Sequence, residues 1–157
     1  MLTWIFKRFE ELTPQELYDL LELRQRVFII EQNCIYPDID GKDPKALHLL
    51  CYADGKLAAY SRITFPGVMF EEVAVGRIVS DPQQRKMGYG KQVTAVALEK
   101  VKKTYGDVPV RIAAQSYLIN FYKSFGFEPV DEEYVWDGIP HQDMLLTTPS
   151  PSASARI

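Results

Sequence analysis

The sequence predicts an α+β fold, a mixed, mostly antiparallel central sheet with helices packed on its faces. Three observations predict it. Short alternating or β-branched segments recur along the chain, and two of them, Leu47 to Tyr52 and Lys56 to Phe65, meet at an Asp54-Gly55 hairpin signal. Two longer segments, 14–30 and 91–103, place apolar residues at helical spacing. Between 73 and 115 the order becomes strand, glycine-bearing loop, helix, strand. The chain has 157 residues, enough for one domain with a real core, expected over 1–147.

Taking the elements in order, Leu2 to Phe9 alternates and forms the first strand, with Trp4 and Phe6 on one face. Thr13 is an N-cap, Pro14 fits the first helical position, and Glu16 completes a capping box. The helix that follows carries Leu17, Leu20, Leu21, Val27 and Phe28 and ends near Ile30. Glu31 to Lys45 is acidic, holds two prolines and a glycine, and is expected to be a long irregular wall of a substrate site. The hairpin strands follow, then a Pro66-Gly67 break. Val73 to Val79 is a strand whose alternation puts Arg77 on the face of Val73, Val75 and Val79. Helix 91–103 buries Val93, Val96, Ala97 and Val101. Pro109 to Gln115 is a strand, Tyr117 to Phe125 a short helix, and Gly126 its C-cap. Phe127 to Trp136 and Asp143 to Thr147 form a final antiparallel pair, with an irregular Asp137-Gly138-Ile139-Pro140-His141 turn between them. The small, polar tail 148–157 is expected to be disordered.

Composition excludes several classes. A net charge of -3 argues against bulk electrostatic binding to nucleic acid or an anionic membrane. No apolar run approaches the roughly 20 residues of a membrane span, and the N-terminus alternates where a signal peptide would be apolar, so the expectation is a cytoplasmic protein. Cys34 and Cys51 lack metal-binding or disulfide spacing and are expected to be free thiols, with no metal site.

The chemistry points first to Arg85-Lys86-Met87-Gly88-Tyr89-Gly90, which joins a strand to a helix start. The first amides of a helix have no internal partner and the helix dipole is positive there. Glycines at 88 and 90 open the backbone to phosphate oxygens, while Arg85, Lys86 and Lys91 add charge. The loop is no P-loop, because no Gly-Lys-Ser/Thr follows, and Val93 stands where a dinucleotide fingerprint needs its third glycine. It is expected to hold a pyrophosphate; an ordinary solvated helix start is the plain alternative.

With this loop, Phe121-Tyr122-Lys123-Ser124-Phe125-Gly126-Phe127 lies about thirty residues downstream. Together the two resemble the GNAT superfamily of N-acetyltransferases over residues 2–147. The sequence is more specifically similar to the ElaA-like branch, through Leu23-Arg24, Val27-Phe28, Glu31-Gln32, Asp38, Asp40-Gly41, His48-Leu49, Gly76-Arg77, Ala114-Gln115 and Asp137 to His141. The resemblance implies the acyl-CoA N-acyltransferase fold and acetyl-CoA as cofactor, carried where two neighbouring strands splay apart. It implies that backbone groups at Ile78 and Val79 pair with pantetheine. Amides from Arg85, Lys86, Met87, Gly88, Tyr89, Gly90 and Lys91 would then hold the pyrophosphate, and Asn120 would reach the pantetheine or adenylate part.

Transfer from a thioester to an amine needs a neutral nucleophile and a protonated leaving group. At pH 7 an amine of pKa near 10.4 costs about 4.6 kcal/mol to deprotonate, so a base or a water relay is useful. A phenol can protonate the departing thiolate, and the resemblance makes Tyr122 that acid; a core aromatic beside Phe121 and Phe125 is the alternative. His48, His141, Glu31, Glu72 and Asp137 are chemically competent bases, and His141 is preferred because it sits in a loop. Arg77 and Arg62 need anionic partners in a sheet, either a substrate carboxylate or Glu31, Asp38 or Asp40. If instead the acidic loop faces the acceptor, it favours a cationic amine. Glu31, Asp38, Asp40, His48 and Arg77 are therefore the expected acceptor contacts. The expected activity is acetyl transfer to a primary amine of a small-molecule or peptide acceptor; a non-catalytic acyl-CoA sensor with the same fold is the alternative. A homodimer is a further expectation, from exposed strands and the aromatic C-terminal hairpin.

Overall fold

The computed structural model describes residues 1–147, and the tail 148–157 expected to be disordered lies outside them. Strand β1 (Leu2–Arg8) leads through a short 3-10 turn into helix α1 (Pro14–Arg24). The Thr13 hydroxyl accepts from the Glu16 amide at 3.1 Å, and the Glu16 carboxylate accepts from the Thr13 amide at 2.9 Å, closing the expected capping box. The helix does not run on regularly to Ile30; Gln25–Glu31 winds as a π-helix. That insertion re-aims the residues that follow, a device common at functional sites.

Strands β2 (Ala46–Ala53) and β3 (Lys56–Thr64) form the expected hairpin, with Asp54 and Gly55 both at positive φ, 50° and 84°. Strand β4 (Val73–Ser80) is followed by a 3-10 segment, then helix α2 (Tyr89–Tyr105), strand β5 (Val110–Gln115) and the short helix α3 (Ile119–Lys123). Last come β6 (Glu128–Pro129), β7 (Tyr134–Trp136) and β8 (Ile139–Leu146). The single sheet runs β1-β2-β3-β4-β5-β8-β6, with β7 also on β8. Its neighbours are antiparallel except β4 and β5, so the expected mixed, mostly antiparallel sheet is what the chain forms.

Two apolar layers hold the sheet between its helices. On one face Val93, Ala97 and Val101 of α2 pack with Leu49, Ile63, Val73, Val75, Ile112 and Phe127. On the other, Leu20, Leu23 and Val27 pack with Leu50, Tyr60 and Val79. Val79 therefore lies on the opposite face from Val73 and Val75, which overturns the simple alternation expected for β4. The cause is a β-bulge: pairing with β3 shifts register, so Arg62 opposes Gly76 whereas Tyr60 opposes Val79. Arg77, at φ 48°, occupies the left-handed region there. An extra residue in a strand of period two reverses the face of everything after it.

The C-terminal region also differs from expectation. Asp137 and Gly138, at φ 51° and 77°, make a second tight hairpin turn, so His141 is a strand residue and not part of a loop. Between Phe127 and Trp136 only the short stretches β6 and β7 pair with β8. Gly126 ends the α3 region at φ 100°, and a Cβ there would come within 3.1 Å of Leu146 Cδ1, so both conformation and space call for glycine.

Candidate functional site

The bulge has a direct consequence for the sheet. β4 and β5 pair only at Val73 with Val110 and Ala74 with Arg111, and beyond that the strands diverge. The wedge between them opens a cavity of about 620 Å³ lined on one side by Gly76 to Ser80 and on the other by Ile112 to Gln115. Past Ala74, β4 thus has a strand edge with no β5 partner, the kind of edge an extended ligand can pair with.

At one end of the cavity stands the start of α2. Gly88 caps the helix in the left-handed region at φ 75°, a conformation that glycine adopts without steric cost. The amides of Tyr89, Gly90 and Lys91 find no hydrogen-bond acceptor among the described residues, whereas the next amide, Gln92, bonds the Gly88 carbonyl at 3.1 Å. Three free donors at the positive end of a 17-residue helix suit an anion. A Cβ built on Gly90 meets nothing nearer than Ser80 Oγ, at 4.0 Å, and both residues line the cavity. Arg85 lines it too, and its guanidinium pairs with Glu31 from the π-helix, Nη1 donating to Oε2 at 2.8 Å. That contact holds the Glu31 carboxyl below the usual carboxylate range. Of the expected pyrophosphate loop, Lys86, Met87 and Lys91 turn their side chains to solvent, and the Tyr89 ring is buried in the core under α2. Their contribution to a ligand would be backbone alone. Asn120 is exposed on the first turn of α3, away from the cavity lining.

Tyr122 and His141 both line the wedge. Tyr122 is 7% exposed, wedged between Phe121 and Phe127 in edge-on contacts. Burial, with the nearby Tyr117 phenol, pushes its hydroxyl well above the ordinary phenol range. Its hydroxyl makes no hydrogen bond to the described residues. His141 stands opposite Gln115 at the end of β5, packed against Tyr134 and Trp136 with ring centroids 5.9 and 5.5 Å away. Its Nδ1 lies 2.7 Å from the Ile139 carbonyl, which can only accept, so in the neutral ring the proton sits on Nδ1 and Nε2 is left as a base.

The other expected bases and acceptor contacts separate. His48 is fully buried outside the cavity: Nε2 donates to the Asp43 carbonyl at 2.9 Å, and Nδ1 accepts from the Tyr60 hydroxyl at 2.6 Å. Desolvation drives its pKa down, so it is a neutral packing histidine. Glu72 faces Arg111, 3.8 Å away, outside the cavity. Asp137 and Glu31 line the cavity. Asp38 and Asp40 do not, because arginines hold both. Arg24 pairs with Asp38 at 2.8 Å, Asp38 with Arg77 at 2.7 Å, and Arg77 with Asp40 at 3.3 Å. Asp40 pairs with Arg62 at 2.8 Å, Arg62 with Asp43 at 3.0 Å, and Asp43 with Arg24 at 2.8 Å. Three arginines and three aspartates alternate in a closed ring. It ties the 38–43 loop to α1, to β3 and to the bulge of β4.

Sequence reasoning missed this ring as a unit, although one signal was present. Arg24 sits four residues after Leu20 and three before Val27, inside the core-facing stripe of α1, and is 0% exposed. An arginine there must find carboxylates. Sequence reasoning also missed Cys34, Tyr36 and Trp136, which line the cavity, and the paired amides of Gln32 and Gln115, whose Oε1 and Nε2 meet at 3.3 Å across it. Trp136 was expected in a strand, but nothing in the sequence turned it toward the cavity. Nothing local marks Tyr36 or Cys34.

The family description "Acetyltransferase (GNAT) domain" matches residues 10–148. The protein ElaA of Escherichia coli is 42% identical over 146 residues, 92% of this chain and 95% of that protein. Its crystal structure superposes with a TM-score of 0.86 at 41% identity, covering 92% of this chain and 99% of that one. A crystal structure of an acyl-CoA N-acyltransferase from Pseudomonas aeruginosa superposes with a TM-score of 0.88 at 39% identity, with the same coverage. Splayed strands, glycine loop and spread of identities agree: the chain belongs to the GNAT acetyltransferase family, within its ElaA-like branch.

Proposed function

We propose that this protein moves an acetyl group from acetyl-CoA to a primary amine of a small-molecule or peptide acceptor, the amine attacking the thioester directly. The observation that carries this reading is the single wedge between β4 and β5. It joins the start of α2 at Gly90, whose first amides have no partner among the described residues, to an open strand edge, a buried phenol and a histidine with a free Nε2.

The residues fit the cofactor. The Tyr89, Gly90 and Lys91 amides and the Arg85 side chain would hold the diphosphate, and the β4 edge at Ile78 and Val79 would run along the pantetheine arm. Bound there, acetyl-CoA supplies an activated acyl carbonyl and a thiol leaving group of pKa about 8.5. His141 Nε2 takes a proton from the acceptor's ammonium, directly or through a water. Tyr122 keeps its proton at neutral pH because its site disfavours phenolate, and it gives that proton to the departing sulfur. A cytoplasmic setting fits the free thiols Cys34 and Cys51.

The test is acetyl-CoA incubated with the protein and a panel of primary amines, with thiol release and acetylated product both followed. Transfer to at least one amine, reduced in His141→Gln and Tyr122→Phe, is the expected result. Tight acetyl-CoA binding without transfer to any amine would replace this reading with the acyl-CoA sensor.

A further inference from the structure

The arginine–aspartate ring is closed, but its arginines are not equally satisfied. Arg24 spends Nε, Nη1 and Nη2 on Asp38 and Asp43. Arg62 spends both terminal nitrogens on Asp40 and Asp43. Arg77 places Nε 2.7 Å from Asp38 as an ion pair without hydrogen-bond geometry, and turns Nη2 to the Asp38 carbonyl and Asp40. Its Nη1 has no hydrogen-bond partner among the described residues, and it is not one of the unpartnered atoms shut away from solvent. Arg77 lines the wedge, and this N–H pair keeps access to solvent. Two further facts mark the position. Arg77 holds φ 48° within a strand, a strain that persists only where the surroundings enforce it and that gathers at ligand sites. Its guanidinium also lies 5.6 Å from the Tyr36 ring, another wall of the same cavity.

The charges around it decide what it suits. Asp38, Asp40 and Asp43 are each bridged by two arginines, so none is left to receive a cationic group. Three positive and three negative side chains cancel, and what remains is an unspent guanidinium donor, suited to a carboxylate. Tyr36 lies against it, and Met69 and Trp136 supply further apolar wall of the same cavity. We propose that this end of the cavity binds the carboxylate of a free amino acid with an apolar or aromatic side chain, whose α-amine is then the group acetylated. This assignment rests on the acetyl-transfer reading above and names its acceptor class. Acceptor positioning comes from Arg77, not from the acidic loop expected to attract a cation.

The experiment compares acceptors of one shape with and without the negative charge: phenylalanine against phenylalaninamide, and leucine against leucinamide, at saturating acetyl-CoA. The amides keep a primary amine, and theirs is the less basic, with a pKa of about 7.7–8.0 as for a peptide α-amino group, so basicity alone would favour them. One charge-assisted hydrogen bond predicts kcat/KM about ten- to a hundred-fold higher for the amino acid, chiefly through KM. In Arg77→Gln that ratio falls to one or below, where basicity alone puts it; it is measured within each protein, so a loss of folded enzyme does not imitate it. Equal use of acid and amide by the native protein, or an undiminished ratio in Arg77→Gln, overturns the carboxylate assignment and leaves acetyl transfer standing. Acetyl-CoA bound but passed to none of the four overturns the carboxylate assignment as well; whether the transfer reading falls with it is then decided by the wider amine panel.

Discussion

Gly90→Ala separates cofactor binding from folding because the two respond with opposite signs. Gly90 lies in the first turn of α2 with helical backbone, and the only atom within 4 Å of an added Cβ is Ser80 Oγ, at 4.0 Å. Nothing in the protein resists the methyl group. Replacing a helical glycine by alanine should stabilise the fold by about 0.5–1 kcal/mol, which for a chain of this size raises Tm by about 1–4 °C. The same methyl faces the cavity beside the three free amides. Keeping a phosphate oxygen from even one of them forfeits a charge-assisted hydrogen bond of roughly 1.5–3 kcal/mol, a loss of about ten- to a hundred-fold in acetyl-CoA affinity. Calorimetric titration with acetyl-CoA and a melting curve of the free protein read the two effects on one sample. A variant that is more stable yet binds acetyl-CoA as tightly as the parent would refute the cradle. One that melts earlier would show that the glycine serves packing instead.

Three other outcomes follow from particular contacts. Tyr122→Phe removes a hydroxyl with no partner among the described residues, so stability should hardly change while turnover falls about 10²- to 10⁴-fold; unaltered thiol release would take Tyr122 out of the chemistry. Arg24→Met should cost about 3–5 kcal/mol in urea unfolding, because Asp38 and Asp43 stay buried with fewer partners, and adding Asp38→Asn should recover part of the loss. Burial pushes the Asp81 carboxyl up, but the Gln83 amide, Gln84, Arg26 and Lys56 outweigh it and hold its pKa at about 2. Folded below unfolded means that stability is present above about pH 4 and is lost as pH falls toward 2. That amounts to roughly 2 kcal/mol from this group, and acid titration of Asp81→Asn should lack this component.

By itself the sequence determined whatever depends on neighbours along the chain. The Thr13–Glu16 box, the Asp54-Gly55 hairpin, the strand-to-helix glycine loop and the alternating strands are each set by residues within a few positions of one another, and all are present in the fold. With them came the fold class and the candidate anion-binding end of the cavity, since helix-start amides are free wherever a helix begins. The tertiary structure decided the other end of the cavity. One extra residue at Gly76–Arg77 reversed the parity of β4, parted it from β5 and opened the wedge, and no periodicity rule reveals where a strand will bulge. The ring of Arg24, Arg62 and Arg77 with Asp38, Asp40 and Asp43 draws partners from up to 39 positions apart, so which carboxylate meets which arginine is fixed only when β3, β4 and α1 pack together. His48 and His141 are equivalent as letters. Three-dimensional packing gave the first two partners and a buried niche, and left the second with an open nitrogen facing the cleft.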